Sequence, residues 1–168
     1  MANKTNFTPE EWTKLLESPM MAGLAITAAD PSGLWGTLKE SFVGGSALAK
    51  ATMDSGANTL VKAVAADFKT SEGRSAARDG LQAKLTGVEP AAMKAKCIDA
   101  LHQVSALLDA KAPADASAFK DWLRQISEHT AQAASEGGVL GFGGVQVSNA
   151  EKATLAEIST ALGLQAAR

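Results

Sequence analysis

The chain has 168 residues, a formal net charge of −2 and 46% hydrophobic content, which suits a single domain, residues 1–168, with one continuous core. Aromatic residues make up 5%, Tyr is absent and Ala is the dominant apolar residue, a composition that favours closely approaching helices and argues against a sheet protein. Lys and Arg are spaced singly among Asp and Glu, so there is no basic stripe to neutralise a phosphate backbone, and nucleic acid is not expected as a partner.

Residues 1–7 lack the long apolar run of a signal peptide and are expected to be a flexible lead-in. Thr8-Pro9-Glu10-Glu11 then places an N-cap, an N1 proline and first-turn acids in helix-start order, with Trp12, Leu15 and Leu16 as the apolar face. Ser18-Pro19 predicts a second cap and a second helix from Met20 to Ala29. This uncharged stretch from Pro19 falls far short of the roughly 20 residues of a membrane span, so no transmembrane segment is expected. Asp30-Pro31-Ser32-Gly33 breaks the pattern. Leu34, Leu38 and Phe42 then mark a third segment, with a relaxation at Gly44-Gly45 before Leu48.

Leu60, Val61, Val64 and Phe68 mark a fourth helix, and a fifth runs from about Thr70 to Leu85, stopping at Gly87. Pro90 starts the sixth, where Met93, Cys97, Leu101, Val104 and Leu108 form an i, i+4, i+8, i+11, i+15 stripe. A seventh, from about Asp115 to Glu136, turns Phe119, Trp122, Ile126 and Ala133 inward. The last runs from about Ser148 to Leu162 and buries Leu155, Ile158 and Leu162. No segment alternates with period two. The expected fold is all-α, an irregular or orthogonal bundle of seven to eight helices with one Gly-rich loop at 137–147.

That loop is the least generic stretch. Gly137-Gly138-Val139-Leu140-Gly141-Phe142-Gly143-Gly144 carries no charge and has five glycines, which open backbone conformations that other residues avoid. Glycine amides feeding a helix start can cradle phosphate. Here, however, the spacing matches neither the dinucleotide fingerprint nor the P-loop, Lys152 is the nearby cation, and Ser148 and Glu151 have the spacing of a reciprocal capping box that occupies the helix-start donors. A tight loop laying Val139, Leu140 and Phe142 over the core is favoured over the cradle. A third use is a partner-binding lip with a Val-Leu-x-Phe tip.

The single cysteine, Cys97, cannot form an internal disulfide and lies in an apolar stripe rather than a metal spacing, pointing to an inert core thiol in reducing cytosol. His129 follows Trp122 and Ile126 on one face and is expected to point inward, with His102 at the edge of its stripe. Neither has a second histidine at i+3 or i+4, so both are expected to be structural.

Ala28-Ala29-Asp30-Pro31-Ser32-Gly33-Leu34 and Ala133-Ala134-Ser135-Glu136-Gly137-Gly138-Val139-Leu140 share a pattern: paired alanines, an acid, then glycine and an apolar residue. The final helix reads Ala150-Glu151-Lys152-Ala153-Thr154-Leu155-Ala156-Glu157-Ile158, ending in Ala161-Leu162-Gly163-Leu164. In these features, over about the last thirty residues and residues 22 to 42, the chain resembles the TerB-like tellurite-resistance family of small all-helical bacterial proteins. The resemblance implies a divalent cation on the acidic loops, at Asp30, Glu136 and Glu151. Glu136 stands where the family has Asp, and a glycine segment separates it from Glu151. Solvated helix-end acids that stabilise first turns are the competing assignment, because a hard cation needs several oxygens converging within about 2.0–2.6 Å.

Three function classes follow. The first expectation is a non-catalytic helical module that binds a partner or a second copy of itself, a C2 homodimer being the commonest arrangement, with Gly137 to Gly144 near the contact and no cofactor. The second is a divalent-ion or small-ligand sensor using the acidic loops. An enzyme is the third, since only Glu128, His129 and Glu136 suggest an acid/base grouping.

Overall fold

The computed structural model describes residues 1–29, 58–136 and 147–164, the last four of the second stretch by backbone alone. These residues contain a 3-10 turn, Lys4–Asn6, and six α-helices: α1 (Pro9–Ala29), α2 (Thr59–Phe68), α3 (Ser71–Leu85), α4 (Pro90–Lys111), α5 (Pro113–Glu136) and α6 (Asn149–Ala161). There is no strand among them, and the all-α class holds. No helix among the described residues is long and apolar enough to cross a membrane.

The helix count among the described residues is six rather than seven to eight, for two reasons. The expected third segment, Leu34 to Leu48, lies outside the described residues. The expected first and second helices are one, because Ser18-Pro19 does not cap a new helix but lies inside α1. Proline has no N–H to donate to the carbonyl four residues back, here Leu15. The Ser18 hydroxyl takes over, donating to the Leu15 carbonyl at 2.8 Å. Packing does the rest, since every residue from Leu15 to Gly23 is buried. A buried run of that length covers more than two turns of a 3.6-residue helix, so α1 is enclosed on all sides, and it touches each of the other five helices.

α1 starts on a reciprocal cap: the Thr8 N–H donates to Glu11 Oε2 at 2.8 Å and the Glu11 N–H to Thr8 Oγ1 at 3.3 Å. The Lys111 ammonium, at the end of α4, reaches Glu11 Oε2 at 2.6 Å, which sets α4 antiparallel to α1. Small residues let α5 approach: the buried Ser127 hydroxyl lies 3.2 Å from the Ala22 carbonyl and 3.2 Å from that of Leu123.

Residues 1–7, expected as a flexible lead-in, are largely exposed but touch the core at two points. Ala2 and Phe7 are buried, and the Phe7 ring sits against Trp12 with centroids 5.9 Å apart. The Ala2 N–H donates to Asp115 Oδ2 at 2.6 Å. Burial of Phe7 and this charge-assisted bond offset the entropy of ordering the segment.

Elsewhere the stripes fall as their spacing predicts. Cys97, Leu101, Val104 and Leu108 of α4 are buried, as are Leu60, Val61, Val64 and Phe68 of α2, Phe119, Trp122 and Ile126 of α5, and Ile158 and Leu162 around the end of α6. Met93 and Leu155 are half-buried.

Candidate functional site

Of the three implied cation ligands and the glycine segment, Glu151 is the residue whose side chain is described. It is buried at 6% exposure and forms the expected box with Ser148. Its Oε2 accepts the Ser148 N–H at 2.8 Å, and Ser148 Oγ accepts the Glu151 N–H at 3.2 Å. The carboxylate is thereby committed to the start of α6. Glu136 is the last residue of α5, with its side chain outside the description. Asp30 and the segment from Gly137 through Gly138, Val139, Leu140, Gly141, Phe142 and Gly143 to Gly144 lie outside the described residues. No three His, Cys, Asp or Glu side chains among the described residues are grouped to hold a metal ion.

His129 is a correction: it is exposed, as is His102. The buried arc of α5 is centred on Leu123 and Thr130 rather than on Ile126, and at 3.6 residues per turn His129 falls just beyond the Trp122 edge of that arc. Glu128 is engaged by Arg124, whose Nη1 lies 2.7 Å from its Oε1. Cys97 is fully buried, and desolvation pushes its thiol up to about 12. A thiol held so far from ionisation is inert toward electrophiles.

What folding does gather are buried charges that join helices. Asp115, at the start of α5, accepts the Ala2 N–H and, on Oδ1, the Asn58 amide at 2.8 Å, with the Met1 ammonium 4.0 Å away. Asn58 in turn caps α2, its Oδ1 accepting the Leu60 N–H at 2.8 Å. Burial raises the Asp115 pKa, but the Ala2 and Asn58 hydrogen bonds and the ammonium outweigh it and hold the carboxyl below its ordinary value. Asp67 is likewise held low: desolvation raises it, while the Trp12 indole N–H at 2.6 Å and the Lys4 ammonium at 3.0 Å lower it further. The buried Lys120 ammonium of α5 bonds to both oxygens of the exposed Asp109 on α4, at 2.6 and 2.7 Å.

Sequence patterns did not single out the remaining cluster. Glu17 of α1, with a side chain 3% exposed, receives the Lys84 ammonium of α3. The pair borders a cleft between α1, α3 and α4 whose walls include Lys14, Ser18, Met21 and Gln103. At ≈ 10 Å³ it has room for about one water molecule. Its carboxylate lies against Gly80, where a Cβ would meet both Glu17 and Thr13. The partners are 67 positions apart, so no local spacing announces them. The one advance signal is an acid, Glu17, inside an otherwise apolar run.

Compared with protein-family profiles, curated proteins and solved structures, the chain finds no match.

Proposed function

We propose that this chain is a non-catalytic helical module that binds a partner protein or a second copy of itself. The observation that carries this is the use made of its buried ionisable groups. Glu17, Asp115, Lys120 and Glu151 are each bound to another part of the chain, across a helix interface or at a helix start. Such contacts position helices rather than a substrate.

The contact lies where α5 ends and α6 begins. The intervening sequence, Gly137 to Gly144, contains apolar Val139, Leu140 and Phe142 among glycines, a composition suited to docking against another surface. Both flanking helices are anchored, α5 through Ile126 and Ala131 and α6 through Ile158 and its capping box. A reducing, cytosolic setting suits the single buried thiol. A divalent cation on Asp30, Glu136 and Glu151 is the weaker proposal, because it would have to compete with the α6 cap for Glu151.

Light scattering across a concentration series tests the module. A mass that rises with concentration, and that stays monomeric in a Leu140→Asp, Phe142→Asp variant, is expected for self-association. A constant monomer mass, together with no capture of a defined partner that depends on those two residues, would sink the proposal. Thermal melts of chelator-treated protein with Ca²⁺, Mg²⁺, Mn²⁺ or Zn²⁺ separate the ion sensor from it: a shift of the melting temperature lost in Glu136→Gln would favour the sensor.

A further inference from the structure

α3 differs from its neighbours in what holds it down. Of its 15 residues, Gly73 and Ala77 are buried, and Ala76 and Leu81 pack at the edge of the core. The helix therefore removes little apolar surface from water. Its two interior glycines, Gly73 and Gly80, lower its intrinsic helicity further.

The two ends are unequal. At the first turn the Thr70 hydroxyl donates to the Asp67 carbonyl at 2.7 Å and accepts the Gly73 N–H at 2.9 Å, and that carbonyl lies so close to Gly73 that no Cβ would fit. At the far end the Thr86 N–H and hydroxyl both donate to the Gln82 carbonyl, at 2.9 and 2.6 Å, and the Val88 N–H to that of Leu85 at 3.2 Å, but these bonds are local to the turn and tie α3 to no other helix. Gly87 follows at φ 75°, with nothing within 4 Å of the place a Cβ would occupy. Between these ends, the Lys84 ammonium on the Glu17 carboxylate ties α3 to α1. The lysine side chain is 38% exposed and the glutamate 3%, so the ammonium can leave for water while the carboxylate beneath it cannot.

We infer that the second half of α3, Gly80 to Leu85, is a strap that opens ahead of the rest of the fold, held at the Thr70 corner, freed at Gly87 and closed by Glu17–Lys84. Opening uncovers the Glu17 carboxylate and widens the cleft of Lys14, Ser18, Met21 and Gln103 into a groove along α1. Gly80 sets the fit. A methyl there would press on the carboxylate that Lys84 must reach, so Gly80→Ala loosens the closure although the same exchange strengthens an ordinary helix.

Native-state hydrogen exchange on the full chain tests this. Amides 80–85 are expected to exchange about tenfold faster than those at the centres of α4 and α5, through an opening nearly insensitive to low denaturant. Gly80→Ala is expected to speed 80–85 about tenfold more and leave α4 and α5 unchanged. Lys84→Gln, which leaves Gly80 and the backbone intact, is expected to act in the same direction. Equal protection of 80–85 and the α4 and α5 centres would overturn the strap. Slower exchange in Gly80→Ala, or no change in Lys84→Gln, would overturn the role of Glu17–Lys84 as its catch.

Discussion

Asp115 does more than stabilise the first turn of α5. It binds the Ala2 N–H and the Asn58 amide, so a single carboxylate joins the N-terminal segment, the cap of α2 and the start of α5. Its pKa is depressed in the folded state. The unfolded chain therefore binds the proton more readily, and stability rises with pH through the titration. The contribution is fully present above the ordinary carboxylate value of about 4 and is lost as pH falls through the lower, folded value. Asp115→Asn should lose about 2 kcal/mol near neutral pH, the scale of hydrogen bonds to a charged group. Its unfolding midpoint in urea should also fall less steeply between neutral and acid pH than that of the parent protein. A variant with an unchanged acid limb would show that the three-way junction is not what the proton breaks. Sequence signals located this residue in a first helical turn, yet they carried no trace of Ala2 or Asn58, which lie 113 and 57 positions away.

Among the elements, α1 shows most directly how tertiary contact overrides local punctuation. Ser18-Pro19 has the chemistry of a helix start, and in an exposed helix an interior proline is disfavoured by about 3 kcal/mol or more. Here the helix continues because it is enclosed by five others and because the Ser18 hydroxyl satisfies the Leu15 carbonyl. The two residues should therefore be coupled. Ser18→Ala should cost about 1 kcal/mol or more with Pro19 in place, where it leaves a buried carbonyl without its partner. In a Pro19→Ala background, where the residue 19 N–H can bond Leu15, the cost should be markedly smaller. Denaturant unfolding of the four proteins of this cycle measures the difference, and additive effects would mean that the hydroxyl is not standing in for the missing amide. By contrast, the amphipathic stripes of α2 and α4 and the Ser148/Glu151 box were legible in the sequence. Each is local: the residues that define it lie within a few turns of one helix.

For the molecule as a whole, α1 is the axis on which stability rests. Leu15 is fully buried on it, so Leu15→Ala should cost about 3 kcal/mol in denaturant unfolding, by lost transfer energy and the cavity left behind. All described helices should be affected together, since each touches α1. Loss of α4 and α5 signals at different denaturant concentrations in this variant would show that α1 does not couple them. The proposed assembly and the α3 strap draw on opposite ends of this stability scale. Binding through 137–144 relies on two anchored helices, whereas the strap relies on a helix with two buried residues, the fewest among the described helices.

The sequence by itself determined the helical class, the apolar stripes, the caps at Thr8 and Ser148, and the inert setting of Cys97, because each depends on period, propensity or short-range hydrogen bonding. Tertiary structure decided that α1 passes unbroken through Pro19, that Ala2 and Phe7 are buried, that His129 faces solvent, and that Glu17 meets Lys84 beside Gly80. Those outcomes depend on which surfaces of distant segments meet, and on the strength that burial gives to charge pairs and hydrogen bonds once they have met.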